Sequence, residues 1–179
     1  MIARDNYPGT LTHGKVRVLS RIAAQGLTVM VLFVLLIAFS AGAAENGPPK
    51  PGPRDKCPVC GMLVEGFPNW VSTVVFKDGS RAFFDGPKDM FKYLLDLKRY
   101  SPKKQSSDIG ALFVTDYYNL APIDARKAWY VVGSDVLGPM GPEPVPLEKE
   151  SDAKAFMKDH KGRQVLRFED VTPDVIRNL

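Results

Sequence analysis

The chain has 179 residues, 45% hydrophobic and 25% charged, with 24 Lys and Arg against 20 Asp and Glu for a net charge of +4. Residues 1–44 hold four of those bases (Arg4, Lys15, Arg17, Arg21) and one acid (Asp5), so the rest carries 20 bases against 19 acids, net +1. A remainder so nearly neutral has no basic footprint, which argues against nucleic acid as a partner.

In chain order, Lys15, Arg17 and Arg21 form a basic start, Leu27 to Phe39 is almost wholly apolar, and Ser40-Ala41-Gly42-Ala43-Ala44 is small, with A-x-A at Ala41 and Ala43. This order predicts a secretory signal peptide over 1–44. An uncleaved N-terminal membrane anchor is the alternative, because Ile22 to Ala44, broken by Gln25, approaches the ~20 residues that span a bilayer. The arginines would then stay cytoplasmic. No cysteine closes the apolar run, so a lipid anchor is not expected there. Both readings place the remainder outside the cytoplasm, in the periplasm.

Residues 45–56 follow as a Pro-rich linker, with Pro48, Pro49, Pro51 and Pro53, of a composition that favours an extended, semi-rigid spacer. It ends one residue before Cys57, so the sulfur site is expected where a tether meets a fold. Cys57 and Cys60 are the two cysteines of the chain, and Cys57-Pro58-Val59-Cys60-Gly61-Met62 puts three soft sulfur donors within six residues. Such donors suit Cu(I) far better than Mg²⁺ or Ca²⁺, and Met62 is the best third ligand beside the thiols. Half of a zinc site stays open, although structural zinc takes four ligands and no second cysteine pair exists. So does a disulfide or thiol–disulfide redox pair, since cysteines in an oxidising compartment often join. A thioredoxin-like motif needs a helix directly after it, which Gly61 and Pro68 oppose. Because the motif precedes the first strand, replacing either cysteine is expected to leave the stability of the apo fold nearly unchanged.

Val71 to Phe76 and Arg81 to Phe84 read as strands, and the intervening Lys77-Asp78-Gly79-Ser80 predicts a hairpin. Asp85 reads as an N-cap rather than a ligand, with Pro87 in the first turn of a helix. Met90, Phe91, Leu94 and Leu95 recur at helical spacing, and Lys88, Lys92, Asp96 and Lys98 take the other face. Ala111 to Thr115 is the third strand. The order then repeats: strands at Ala128 to Val132 and Pro144 to Leu147, a helix capped by Ser151 and closed by Gly162, a strand at Val165 to Phe168, and a short helix from Thr172-Pro173. An α+β fold of two tandem ββαβ units follows, one over 57–126 with the CxxCGM motif and one over 127–179.

Two further side chains are candidate ligands. Met140 lies in the Pro/Gly loop Gly138-Pro139-Met140-Gly141, as a thioether ligand or a gap-filling plug. His160 is the one histidine beyond residue 44 and sits near a helix C-terminus on the apolar face, where a structural role competes with ligation. Trp70, Trp129 and the Tyr117-Tyr118 pair read as core or rim aromatics. G-x-S-x-G, H-E-x-x-H and P-loop motifs are absent, which opposes an enzyme.

The CxxCGM block, Phe83-Phe84-Asp85-Gly86-Pro87-Lys88-Asp89-Met90, Val114-Thr115-Asp116-Tyr117-Tyr118, Ile123-Asp124-Ala125 and the run Gly133 to Gly141 together resemble the NosL family, from Cys57 nearly to Leu179. The resemblance implies a pair of related ββαβ units and an exported copper-binding accessory protein. Its implied partners are a copper source and a copper acceptor such as nitrous oxide reductase. Many relatives carry a lipobox cysteine at the cleavage site, and this chain does not.

Overall fold

A computed structural model describes residues 47–179, which form one compact unit. The leader expected over 1–44 and the first two residues of the expected linker lie outside the described residues. Among the described residues, no helix is long and apolar enough to cross a membrane.

Strand β1 (Ser72–Phe76) turns through Asp78-Gly79 into β2 (Arg81–Phe84). Gly79 takes φ +83°, a left-handed backbone that other residues adopt at a cost, and Asp78 accepts the Ser80 N–H at 3.0 Å. Helix α1 (Pro87–Leu95) follows, then the single turn α2 (Leu97–Tyr100), β3 (Ile109–Thr115) and the short edge strand β4 (Pro122–Asp124). All four strands are antiparallel neighbours in the order β2-β1-β3-β4. The second half supplies β5 (Trp129–Val132), β8 (Val145–Leu147), helix α3 (Glu150–Asp159) and β9 (Gln164–Arg167), in the order β8-β5-β9. In each half the first strand is central, flanked by the second and by the strand after the helix. That shared order is the repeat anticipated from the sequence. Between β5 and β8 a small hairpin is inserted, β6 (Leu137–Gly138) and β7 (Gly141–Pro142), and helix α4 (Pro173–Arg177) ends the chain.

Apolar periodicity explains the packing. Val74, Leu112 and Val114 of the first sheet bury against Met90 and Phe91 of α1, with Phe84, Tyr93 and Tyr130 in the same core. Each such fully buried side chain contributes roughly 1.5–3 kcal/mol. Val131, Val145 and Leu147 meet Ala153 and Phe156 of α3 in a second cluster, with Trp70, Tyr117 and Trp129 at its margin. The halves are joined where the Tyr117 N–H donates to Pro146 O (3.0 Å) and the Glu148 N–H to Asp116 Oδ2 (2.7 Å).

Three local expectations differ from the structure. Helix α3 begins at Glu150, behind Lys149, so Ser151 lies inside it and its hydroxyl donates to Asp152 rather than capping. Gly138–Gly141 is a turn between paired strands, not an open loop. Lys88 leaves the polar face of α1 and is 8% exposed.

Candidate metal centre

The CxxCGM segment closes on itself. The Cys57 N–H donates to Met62 O and the Gly61 N–H to Cys57 O, both at 2.9 Å, and Lys56 bridges Leu63. Gly61 holds φ +81°, which the tight return to Met62 requires. Upstream, Asp55 O accepts the Val64 N–H at 3.0 Å, stitching the end of the Pro-rich segment to the body. Cys57 is 1% exposed and belongs to the main core, with Cys60 and Val59 packed against it. The site expected where a tether meets a fold is thus built into the fold.

Both thiols are free, and each meets a carboxylate from the start of α1. Cys60 Sγ donates to Asp85 Oδ1 at 3.2 Å and Cys57 Sγ to Asp89 Oδ2 at 3.5 Å. One ligand atom from each of these four residues lies within 4.8 Å of the other three. Asp89 is also paired with Lys92 Nζ at 2.9 Å. Asp85 is not the helix cap. Gly86 holds that position, while the Asp85 side chain, fully buried, turns toward sulfur and leaves Oδ2 without a partner. An unpartnered buried carboxylate oxygen is costly, so a buried one beside two thiols marks a place that can receive a cation.

Burial dominates the thiol chemistry. Desolvation pushes Cys57 from 9.0 to about 11, and raises Cys60 as well. The backbone N–H groups of Cys60 and Val59 at the Cys57 sulfur, and of Met62 at that of Cys60, act in the opposite direction. At neutral pH the pair is therefore neutral, a poor nucleophile but already fitted with donors for the thiolates that a metal would create.

Glu143 is a third buried acid that sequence reasoning missed. Its Oε2 accepts the Lys88 N–H at 2.7 Å, serving the helix N-terminus as Asp85 was expected to do. Two glycines make room: a Cβ on Gly86 would stand 2.9 Å from Oε1, and one on Gly138 only 2.4 Å from Cγ. Desolvation, reinforced by the charges of Asp89 and Asp85, raises Glu143 to about 7 against the pull of Lys88. Nothing in the local sequence announces a cap 55 residues away from its helix. For Asp85 and Asp89 a signal did exist, two acids four apart around Gly-Pro at a helix start.

The structure brings Cys57 and Cys60 together. Met62 lies half-buried in the closed loop, its carbonyl bound by the Cys57 N–H. Met140 sits at the β6–β7 turn, 40% exposed, with its carbonyl held by Lys88 Nζ. His160 is not in the thiol–carboxylate group; it ends α3, stacks on Phe156 at 4.3 Å and lies 3.3 Å from Asp135.

Fold and site together define a duplicated ββαβ domain with a buried dithiol–carboxylate centre in its first half. The chain belongs to the NosL family, whose model matches residues 48–176. It is 35% identical over 118 residues to the copper-binding lipoprotein NosL of Stutzerimonas stutzeri, covering 65% of this chain and 62% of the length of that curated relative. The crystal structure of the copper chaperone NosL from Shewanella denitrificans superposes with a TM-score of 0.58 at 28% identity, over 71% of this chain and 99% of that one. The solution structure of the apo-NosL protein from Achromobacter cycloclastes aligns at 29% identity and a TM-score of 0.42, over 59% of this chain and 87% of that one.

Proposed function

We propose that this chain is an extracytoplasmic metallochaperone that takes up Cu(I) from a copper source and passes it to an acceptor such as nitrous oxide reductase, without turnover. Its N-terminal apolar segment serves as export signal or membrane tether. The observation that carries the reading is the convergence of one buried and one half-buried thiol with carboxylates that accept their hydrogen bonds, in a chain whose relatives are described as copper-binding. Cys57 and Cys60 are the principal ligands, with Met62 as the third; Met140 is the next candidate and His160 the weakest, because it is not part of the thiol–carboxylate group. The thiol–disulfide alternative loses ground, because both thiols are raised rather than lowered and no α-helix starts at the motif. Titration of the reduced protein with Cu(I) against a chromogenic chelator, read by native mass spectrometry, should give one copper per chain or per symmetric pair. Tight binding retained in Cys57→Ser/Cys60→Ser would overturn the assignment.

A second reading rests on Asp85 and Asp89, which complete a four-donor set suited to zinc. The same titration separates the two. Asp85→Asn/Asp89→Asn should abolish zinc uptake if the carboxylates are ligands, and should leave Cu(I) on the sulfurs if they only receive thiol protons.

A further inference from the structure

Lys88 is a buried lysine, a rare placement for this residue type, and its ammonium has a specific task. Nζ donates to the carbonyls of Met140 and of Pro142, the latter at 2.9 Å, on the two sides of the β6–β7 turn, and it faces Glu143 Oε1 at 3.9 Å. Two of its N–H donors are thus taken by the carbonyls of the turn, and Glu143 stands beyond hydrogen-bond reach as an ion-pair partner. The hairpin they grip has two residues per strand, and Leu137 is 64% exposed. Two-stranded ribbons of that length do not hold their place by their own ladder. Among the described residues, these two bonds are the hydrogen bonds that tie 139–142 to anything beyond the hairpin. The same helical turn carries the Asp89 carboxylate that receives the Cys57 proton, and the residue before its cap is Asp85, which receives that of Cys60.

We propose that Lys88 is a positioning residue that fastens the β6–β7 hairpin, and Met140 with it, to the helix start beside Cys57 and Cys60, and so sets how firmly metal is held there. The fastening itself needs no metal; its effect on retention rests on the Cu(I) reading. With the hairpin fastened, Met140 is held at the start of α1, the segment whose Asp85 and Asp89 meet the two thiols. With it released, a competing ligand gains access.

The test is made on the full-length chain. In the metal-free state, hydrogen–deuterium exchange of peptides spanning 137–142 should quicken about tenfold or more in Lys88→Met, the effect of losing a charged hydrogen bond, while β1 and β3 exchange as in the wild type. Release of Cu(I) to a chromogenic chelator should quicken about tenfold as well, and Lys88→Arg should restore both. Glu143→Gln should leave the hairpin protected, because the two carbonyls remain bound. Unchanged hairpin exchange in Lys88→Met, or an equal rise throughout the domain, would overturn the fastening. Where Lys88→Met does not fold, Lys88→Gln takes its place under the same criterion. A loosened hairpin with wild-type copper release would overturn the link to retention. A loosened hairpin in a protein whose wild type takes up no Cu(I) would overturn the copper reading and leave the fastening intact.

Discussion

Glu143→Gln isolates a buried acid that holds its proton more tightly in the folded chain than in the unfolded one. In the unfolded chain this carboxyl loses its proton near 4.5, and in the folded one it keeps it up to about 7. The folded state therefore binds the proton more tightly: the contribution of this group is full below pH 4.5 and is lost as pH rises through 7. The difference corresponds to about 3 kcal/mol, or roughly 10 °C in the melting temperature of a domain this size. Lys88 opposes the shift, but its Nζ is 3.9 Å from Oε1 and spends its hydrogen bonds on Met140 and Pro142, so desolvation wins. Glutamine retains an oxygen for the Lys88 N–H and carries no charge at any pH. Denaturant unfolding of both metal-free proteins from about pH 4 to about pH 8 should give equal stabilities at the acid end and a variant ahead by about 3 kcal/mol at the other. Parallel curves, or a wild type that gains on the variant with rising pH, would refute the reasoning by showing that the Lys88 pair dominates.

Two more outcomes follow from the sulfur site. Cu(I) affinity should climb by up to about a hundredfold per pH unit, as two thiol protons are displaced, and should still be climbing past about pH 9 because Cys57 is pushed to about 11; levelling near pH 8.5 in a competition titration would contradict neutral, buried thiols. Cys57→Ser should lower apo stability by about 1–3 kcal/mol and Cys60→Ser by less than about 1, since Cys57 alone of the two lies fully in the core. Equal and small shifts in thermal melts would return the motif to the margin of the fold.

Much of the architecture was legible because it is written locally. Asp78-Gly79 fixed one hairpin, the spacing of Met90, Phe91 and Leu94 fixed α1, and Thr172-Pro173 marked α4, whose first turn the Thr172 hydroxyl does cap. The sulfur pair stood out as the only cysteines of the chain. What escaped notice depends on residues remote in sequence. Asp85 has the identity of a cap and lies one residue before the position that Gly86 takes, and its side chain turns instead to Cys60, 25 residues upstream. Lys88 falls on the polar side of α1 by periodicity, yet the inserted hairpin covers it. Glu143 sits in a Pro/Gly-rich stretch without periodicity, and its role exists only where two distant segments meet.

The room around Glu143 constrains how this sequence can change. Gly86 and Gly138 are each empty because the same carboxyl group fills both spaces, so neither position has an independent choice of residue. An alanine at Gly138 would push the Glu143 stem out of place and strip the Lys88 N–H of its acceptor, damage that would be felt at a helix start on the other side of the chain. A shorter acid at 143 would leave two vacant pockets and the same orphaned N–H. The packing therefore ties the choice of residue at all three positions together, and a larger side chain at either glycine first requires that the Glu143 side chain give way.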